Sequence, residues 1–108
     1  MIQNDFGLIS IIMAAYNAEK TIEQAINSVL SQTYTNFELL VVNDCSTDRT
    51  AELVKSIAAK DSRVRLISNV KNNGVSYTRK HGLEEAKGSW IAILDSDDAW
   101  APEKPVSY

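Results

Sequence analysis

The chain alternates short apolar runs with polar clusters, and the apolar positions follow two different periods. Leu8-Ile9-Ser10-Ile11-Ile12-Met13, Phe37-Glu38-Leu39-Leu40-Val41-Val42 and Trp90-Ile91-Ala92-Ile93-Leu94 are short, nearly continuous and rich in branched aliphatic residues. Such runs predict strands buried on both faces, the pattern of a parallel sheet. Val64, Leu66 and Ser68 alternate with Arg65 and Ile67 in a shorter strand. That strand is less continuously apolar and belongs nearer a sheet edge. Between the runs the period lengthens. Ile22, Ala25, Ile26, Val29 and Leu30 recur at spacings of three and four, and Leu53, Val54, Ile57 and Ala58 do the same, each set the stripe of a half-buried helix. Asn17 stands where it can cap the first of these helices. The pair Asn73-Gly74 is a hairpin signal, yet Val75, Thr78, Arg79, Gly82, Leu83 and Ala86 fit a helix better, with Gly88 as its stop.

The resulting order is β-α-β-α-β-α-β with short links. It predicts an α/β fold: an open, mostly parallel β-sheet with flanking helices and right-handed crossovers. No repeat, linker or low-complexity stretch interrupts it. Composition narrows the picture. A 44% hydrophobic, 23% charged chain of 108 residues is an ordinary globular mixture that should not be disordered, and its length suits one domain. Net charge is −3, so the chain lacks the basic surface of a general nucleic-acid binder, and no nucleic-acid partner is expected. The single cysteine, Cys45, cannot form an internal disulfide. No apolar run approaches the roughly 20 residues that span a bilayer. Residues 1–7 read as a polar tail without the pattern of a secretory signal. A soluble intracellular domain, or the cytosolic part of something larger, is the expectation.

In open α/β sheets ligands bind beyond the carboxyl ends of the strands, and the polar residues gather there. The first strand leads into Ala14-Ala15-Tyr16-Asn17, the second into Asn43-Asp44, and the last into Asp95-Ser96-Asp97-Asp98. Three acids within four residues repel one another, and a divalent cation removes that penalty. The other reading of this cluster is a solvated turn that caps the next short helix. Asp44, Ser46 and Asp48 are three candidate caps for one helix, which leaves a carboxylate spare for a ligand. Tyr16 suits either rim packing or a stacking platform for a base. Arg79 falls on the apolar side of its predicted helix, where it needs an anionic partner, unless it is a surface residue. His81 and Cys45 have no motif around them, and Trp90 and Trp100 read as core or rim packing. The four glycines form neither GxGxxG nor a P-loop, so a metal is the expected phosphate holder.

Taken together the residues resemble the N-terminal half of a family 2 glycosyltransferase, the inverting group with the GT-A fold. The resemblance rests on Ser10-Ile11-Ile12-Met13-Ala14-Ala15-Tyr16-Asn17, residues 37–48 with their Asn-Asp-Cys-Ser-Thr-Asp, Asn73-Gly74-Val75-Ser76-Tyr77-Thr78-Arg79, and Ile93-Leu94-Asp95-Ser96-Asp97-Asp98. The resemblance covers nearly the whole chain, residues 8–104. Any one is weak, but four in order are specific. The resemblance implies a Rossmann-like donor half spanning residues 1–108, with the acceptor-binding half absent. It implies that Ala14, Tyr16, Asp44, Arg79 and Asp95 bind the nucleotide. Tyr16 would pack on the base, Asp44 would accept a ring N–H, commonly of uracil, and Asp95 would lie near the ribose. Asp97 would bind Mn²⁺ or Mg²⁺, with Asp95 as the other acid of a DxD motif and Asp98 as a second choice.

The implied donor is a nucleoside diphosphate sugar, UDP-linked. The acceptor of a full enzyme would be a saccharide or lipid-linked hydroxyl, and its expected place is the cytoplasm or the cytoplasmic face of the membrane. The general base falls outside these residues, so the fragment is expected to bind without turnover and to self-associate through an uncovered flank. Two departures stand out. Ala14 replaces a usual Pro and Cys45 a usual Gly, and the second matters if that position needs a positive φ. The competing readings are a sugar-phosphate nucleotidyltransferase-like domain, though no Gly-rich basic loop follows the first strand, and a non-catalytic interaction module.

Overall fold

A computed structural model of the chain describes residues 7–32 and 34–95. Within them the apolar runs and stripes become β1 (Ile9–Ala15), α1 (Ile22–Leu30), β2 (Phe37–Asn43), α2 (Thr50–Lys60), β3 (Val64–Ser68), α3 (Val75–Glu85) and β4 (Trp90–Asp95). Every strand pair is parallel, and the strands lie in the order β3-β2-β1-β4. This is the α/β open parallel sheet that the hydrophobic pattern predicts. Every residue of β2 is buried, as expected of an inner strand, whereas β3 is an edge and only Val64 in it is buried.

Side chains alternate across the sheet, so each strand serves two cores. Ile11 and Met13 of β1 join Leu39, Val41, Ala92 and Leu94 beneath α1 and α2, where Ile22, Ile26, Val29 and Val54 close the larger core. Ile12, Leu40 and Val42 face the other way and form a smaller cluster with Ile67, Ala86 and Ile91. Helix α3 lies on that second face. It comes close because Gly82 has no side chain: a Cβ there would stand 2.6 Å from Ile12 Cγ2 and 3.1 Å from Val42 Cγ2. The chain therefore winds outward from β1 through β2 to β3 on one face, then crosses back on the opposite face to place β4 on the other side of β1. The winding reverses between β1 and β4, and a crevice opens at their carboxyl ends.

Three expectations need correction. The buried residues of α3 are Thr78 and Gly82, whereas Val75 and Leu83 are 52% and 45% exposed. The expected apolar stripe is thus rotated, because close approach to the sheet selects small residues that a hydrophobic pattern overlooks. Gly88 is not the stop of α3, which ends at Glu85 with Ala86 as its C-cap. Gly88 instead donates its N–H to Ser10 Oγ at 2.8 Å, and Ser10 Oγ donates to Glu38 Oε2 at 2.6 Å. Lys87 N–H reaches the same Glu38 oxygen at 2.7 Å, tying the α3–β4 link to the amino ends of the strands, away from the crevice. Asn17 does not cap α1. Thr21 is the N-cap residue and makes no side-chain cap bond, while Asn17 works in the loop described next.

Candidate functional site

Two loops leave the carboxyl ends of β1 and β2 side by side and are fastened together. Asn17 adopts a left-handed backbone with φ +48°, a conformation that Asn tolerates better than most residues. Its N–H donates to Ser46 Oγ at 3.0 Å, and its Oδ1 accepts from Thr47 N–H at 2.8 Å and Thr47 Oγ1 at 3.3 Å. Further along, Ala18 N–H donates to Thr50 Oγ1 at 2.7 Å and Glu19 N–H to Asp48 Oδ2 at 3.2 Å. Glu19 Oε1 returns the exchange by accepting from Arg49 N–H at 2.9 Å. Sequence reasoning missed this clasp. Its only trace in the chain is the density of Asn, Ser, Thr and Asp in both loops, which does not reveal partners 29 to 32 residues apart.

None of the three candidate caps is the N-cap residue of α2, which is Arg49 and makes no side-chain cap bond. Asp48, one residue earlier, accepts from Thr50 N–H through Oδ1 at 2.9 Å, and Ser46 serves Asn17. Asp44 turns to the segment before α3 instead. It is 5% exposed. Its Oδ1 accepts from Asn69 Nδ2 at 2.8 Å and from Asn73 N–H at 2.8 Å, and its Oδ2 accepts from Gly74 N–H at 2.9 Å. Gly74 can present that N–H because it holds φ +90° as the N-cap of α3, a backbone that a Cβ would strain. Burial alone would push the Asp44 carboxyl up. The amides of Asn73, Asn69 and Gly74 outweigh burial and hold it below the usual carboxylate range. Asp44 is therefore an ionised, acceptor-only group with one acceptor position left on Oδ2.

Behind Asp44 the network continues. Asn69 is 6% exposed. Its Nδ2 also reaches Thr78 Oγ1 at 3.0 Å, and its Oδ1 lies 2.7 Å from His81 Nδ1. Thr78 passes its own proton to Gly74 O at 2.7 Å. Neither Asn69 nor His81 stands out in the sequence as part of a site. Cys45 follows Asp44 with φ +59° and an exposed side chain, so the position does adopt the left-handed backbone that glycine favours. Asp44 keeps its three donors nonetheless.

A cavity of about 290 Å³ opens over this arrangement, lined by Ala14, Tyr16, Asp44, Gly74, Val75 and Thr78 among others. Tyr16 is 51% exposed and offers a flat face. A neighbouring hollow of about 760 Å³ shares Ala14, Tyr16 and Val75 and adds Lys20 and the half-buried Arg79. The structure thus brings together four of the sequence-predicted residues: Ala14, Tyr16, Asp44 and Arg79. Asp95 ends β4 in register with Ala14, at the same rim. Asp97 and Asp98, with Trp100, lie outside the described residues. Among the described residues no group of three or more His, Cys, Asp or Glu side chains is placed to hold a metal. An aromatic wall beside an ionised acceptor suits a flat ring that carries an N–H on its edge.

Comparison with known proteins gives this geometry a family. The sequence model of glycosyl transferase family 2 matches residues 10–105. The chain belongs to glycosyltransferase family 2. Over 100 residues it is 48% identical to an Escherichia coli UDP-Glc:alpha-D-GlcNAc-diphosphoundecaprenol beta-1,3-glucosyltransferase, WfgD, covering 93% of this chain and 39% of the relative. It is 38% identical over 97 residues to the putative teichuronic acid biosynthesis glycosyltransferase TuaG of Bacillus subtilis, covering 90% of this chain and 38% of that protein. This family 2 chain therefore spans well under half the length of the curated relatives it matches.

Among solved structures, S. aureus TarS 1-349 in complex with UDP-GlcNAc superposes with a TM-score of 0.79 at 33% identity, covering 84% of this chain and 27% of that one. The mannosyltransferase PcManGT of Pyrobaculum calidifontis, in complex with GDP-Man and Mn²⁺, gives a TM-score of 0.80 at 26% identity, covering 85% and 28%. The open parallel sheet is thus that of GT-A glycosyltransferases, and the chain corresponds to a fragment of them.

Proposed function

We propose that this chain is the donor-binding part of a glycosyltransferase, spanning residues 1–108, that moves a sugar from a UDP-linked donor to an acceptor hydroxyl with inversion. The observation that carries this reading is the 290 Å³ cavity between Tyr16 and Asp44. A uracil ring stacked on Tyr16 would give its ring N–H to the remaining acceptor position of Asp44. Ala14 lets the ring approach the β1 end. Arg79 lines the neighbouring hollow, where diphosphate would continue, and Asp95 stands at the end of β4 in register with Ala14. The names of two relatives and neighbours, one acting on UDP-Glc and one bound to UDP-GlcNAc, support the choice of uracil.

In the transfer, the acceptor oxygen bonds to the anomeric carbon on the face opposite the diphosphate. The bond from that carbon to the diphosphate oxygen breaks, and nucleoside diphosphate leaves. The acceptor site and the carboxylate that takes the hydroxyl proton are assigned to the part of the relatives' length that this chain does not span. The 108 residues alone then bind nucleotide without turnover. A divalent cation fits the donor chemistry of the three carboxylates in Asp95-Ser96-Asp97-Asp98, the first of which ends β4. Asp97 would hold Mn²⁺ or Mg²⁺, with Asp95 or Asp98 beside it, and the ion would neutralise charge on the leaving diphosphate. A lipid-linked acceptor, and with it the cytoplasmic membrane face, is supported by the diphosphoundecaprenol substrates of relatives. No described helix is long and apolar enough to cross a membrane. Self-association through the β4 flank belongs to the same proposal.

Calorimetry with UDP, with and without Mn²⁺, on the wild type and Asp97→Asn tests the assignment. Mn²⁺ should tighten wild-type binding about tenfold, equivalent to about 1.4 kcal/mol, and should not tighten binding to Asp97→Asn. Binding that ignores both metal and substitution would remove Asp97 from the site. Asp44→Ala should abolish measurable binding, and its retention would overturn the base slot.

A further inference from the structure

The network behind Asp44 has a direction that its chemistry fixes. Asp44 is ionised and can only accept, so the group that Asn69 turns toward it must be Nδ2. Asn69 Oδ1 then faces the opposite way, 2.7 Å from His81 Nδ1. Two acceptors cannot share that distance, so the proton sits on His81 Nδ1. The Tyr77 ring lies edge-on to the imidazole, with centroids 6.3 Å apart and planes at 60°. His81 reaches the base slot only through Asn69, and it appears in the lining of neither cavity.

We propose that His81 and Asn69 form a positioning relay that sets the base selectivity of the slot, an inference that rests on the nucleotide-binding reading above. His81 donates to Asn69, Asn69 donates to Asp44, and Asp44 is left with a single outward acceptor position. That position takes a ring N–H, as in uracil. It repels the bare ring nitrogen that cytosine presents there. Without the His81 donor Asn69 Oδ1 loses that partner, and the amide is held through Nδ2, by Asp44 and Thr78 Oγ1. Held at one end, the amide would tilt away from Asp44 and open a second acceptor position on Oδ1, which the exocyclic amine of cytosine could use. The relay therefore protects discrimination between two pyrimidines and contributes more than affinity.

The test compares UDP and CDP binding by calorimetry for the wild-type chain and three variants: His81→Leu, His81→Asn and His81→Gln. Asparagine can present a donor near the position of Nδ1, and glutamine places its amide further out. Expected are a wild type that prefers UDP, a His81→Leu variant whose preference falls about tenfold, the scale of one charge-assisted hydrogen bond, and recovery in His81→Asn but not His81→Gln. A general loss of folding would lower both affinities together and would not separate the Asn and Gln variants. If the wild type prefers UDP and Asp44→Ala abolishes binding, yet all three His81 variants keep the preference, the relay is overturned and the base slot stands. If the wild type shows no preference and Asp44→Ala is neutral, the underlying reading of the slot falls instead.

Discussion

At the scale of single residues, Cys45 carries a cost that the fold does not require. Its φ of +59° places a Cβ against the following carbonyl, a clash worth about 1–2 kcal/mol for an L-residue. Glycine would remove the clash and give back roughly 0.5–1 kcal/mol through the added freedom of its unfolded chain. Cys45→Gly should therefore stabilise the chain by about 0.5–1 kcal/mol and raise Tm by roughly 2–8 °C in a thermal melt. An unchanged or lower Tm would show that the exposed thiol makes up for the strain. The sequence reveals this position because the chemistry is local: one residue and one backbone angle. It hides Asn69 and His81 for the opposite reason. Their meaning lies in contacts to Asp44 and to each other across three segments, and neither residue type is unusual in a loop or a helix.

At the scale of elements, α3 is the sensitive one. It carries Gly74 to Asp44, Thr78 to Asn69, and Arg79 and Val75 to the crevice, and its distance from the sheet is set by Gly82. Ile12 and Val42 are both 0% exposed and branched at Cβ, so they cannot swing aside. Gly82→Ala gains about 1 kcal/mol of helix propensity but overpacks by up to about 3 kcal/mol. The net loss should be about 1–2 kcal/mol, seen as a lower denaturant midpoint at unchanged m-value. A midpoint at or above wild type would mean that the helix moves outward without cost. The strands were readable because a run buried on both faces leaves a continuous apolar signature. Helix α1 was readable from its stripe. The buried face of α3 was not, since Thr78 and Gly82 carry no hydrophobic signal and the exposed Val75 and Leu83 carry a strong one.

At the scale of the whole molecule, the order β3-β2-β1-β4 puts β4 at an edge of the described sheet. Among the described residues no strand pairs with its outer side, and Trp90 at its start is 49% exposed. Edges of this kind pair with another copy unless they are covered. Light scattering should show a concentration-dependent rise from the 12.0 kDa monomer toward twice that mass. A constant monomer mass at high concentration would exclude the flank as a docking edge. The reversal of winding between β1 and β4 could be anticipated only in part from sequence. The alternation of strands and helices predicts parallel crossovers, but nothing in it says on which face each helix returns.

The clasp between residues 17–19 and 46–50 makes the two loops a single hereditary unit. Asn17 and Thr47 each supply half of one lock, as do Glu19 and Arg49. Lengthening either loop by one residue would leave every partner in the other facing the wrong neighbour. Loop exchange with a relative thus succeeds only when both segments travel together, and drift in one is held back by the other. The strands beneath answer to a different constraint, the packing of their buried side chains, and the rim that carries Tyr16 and Asp44 lies between the two.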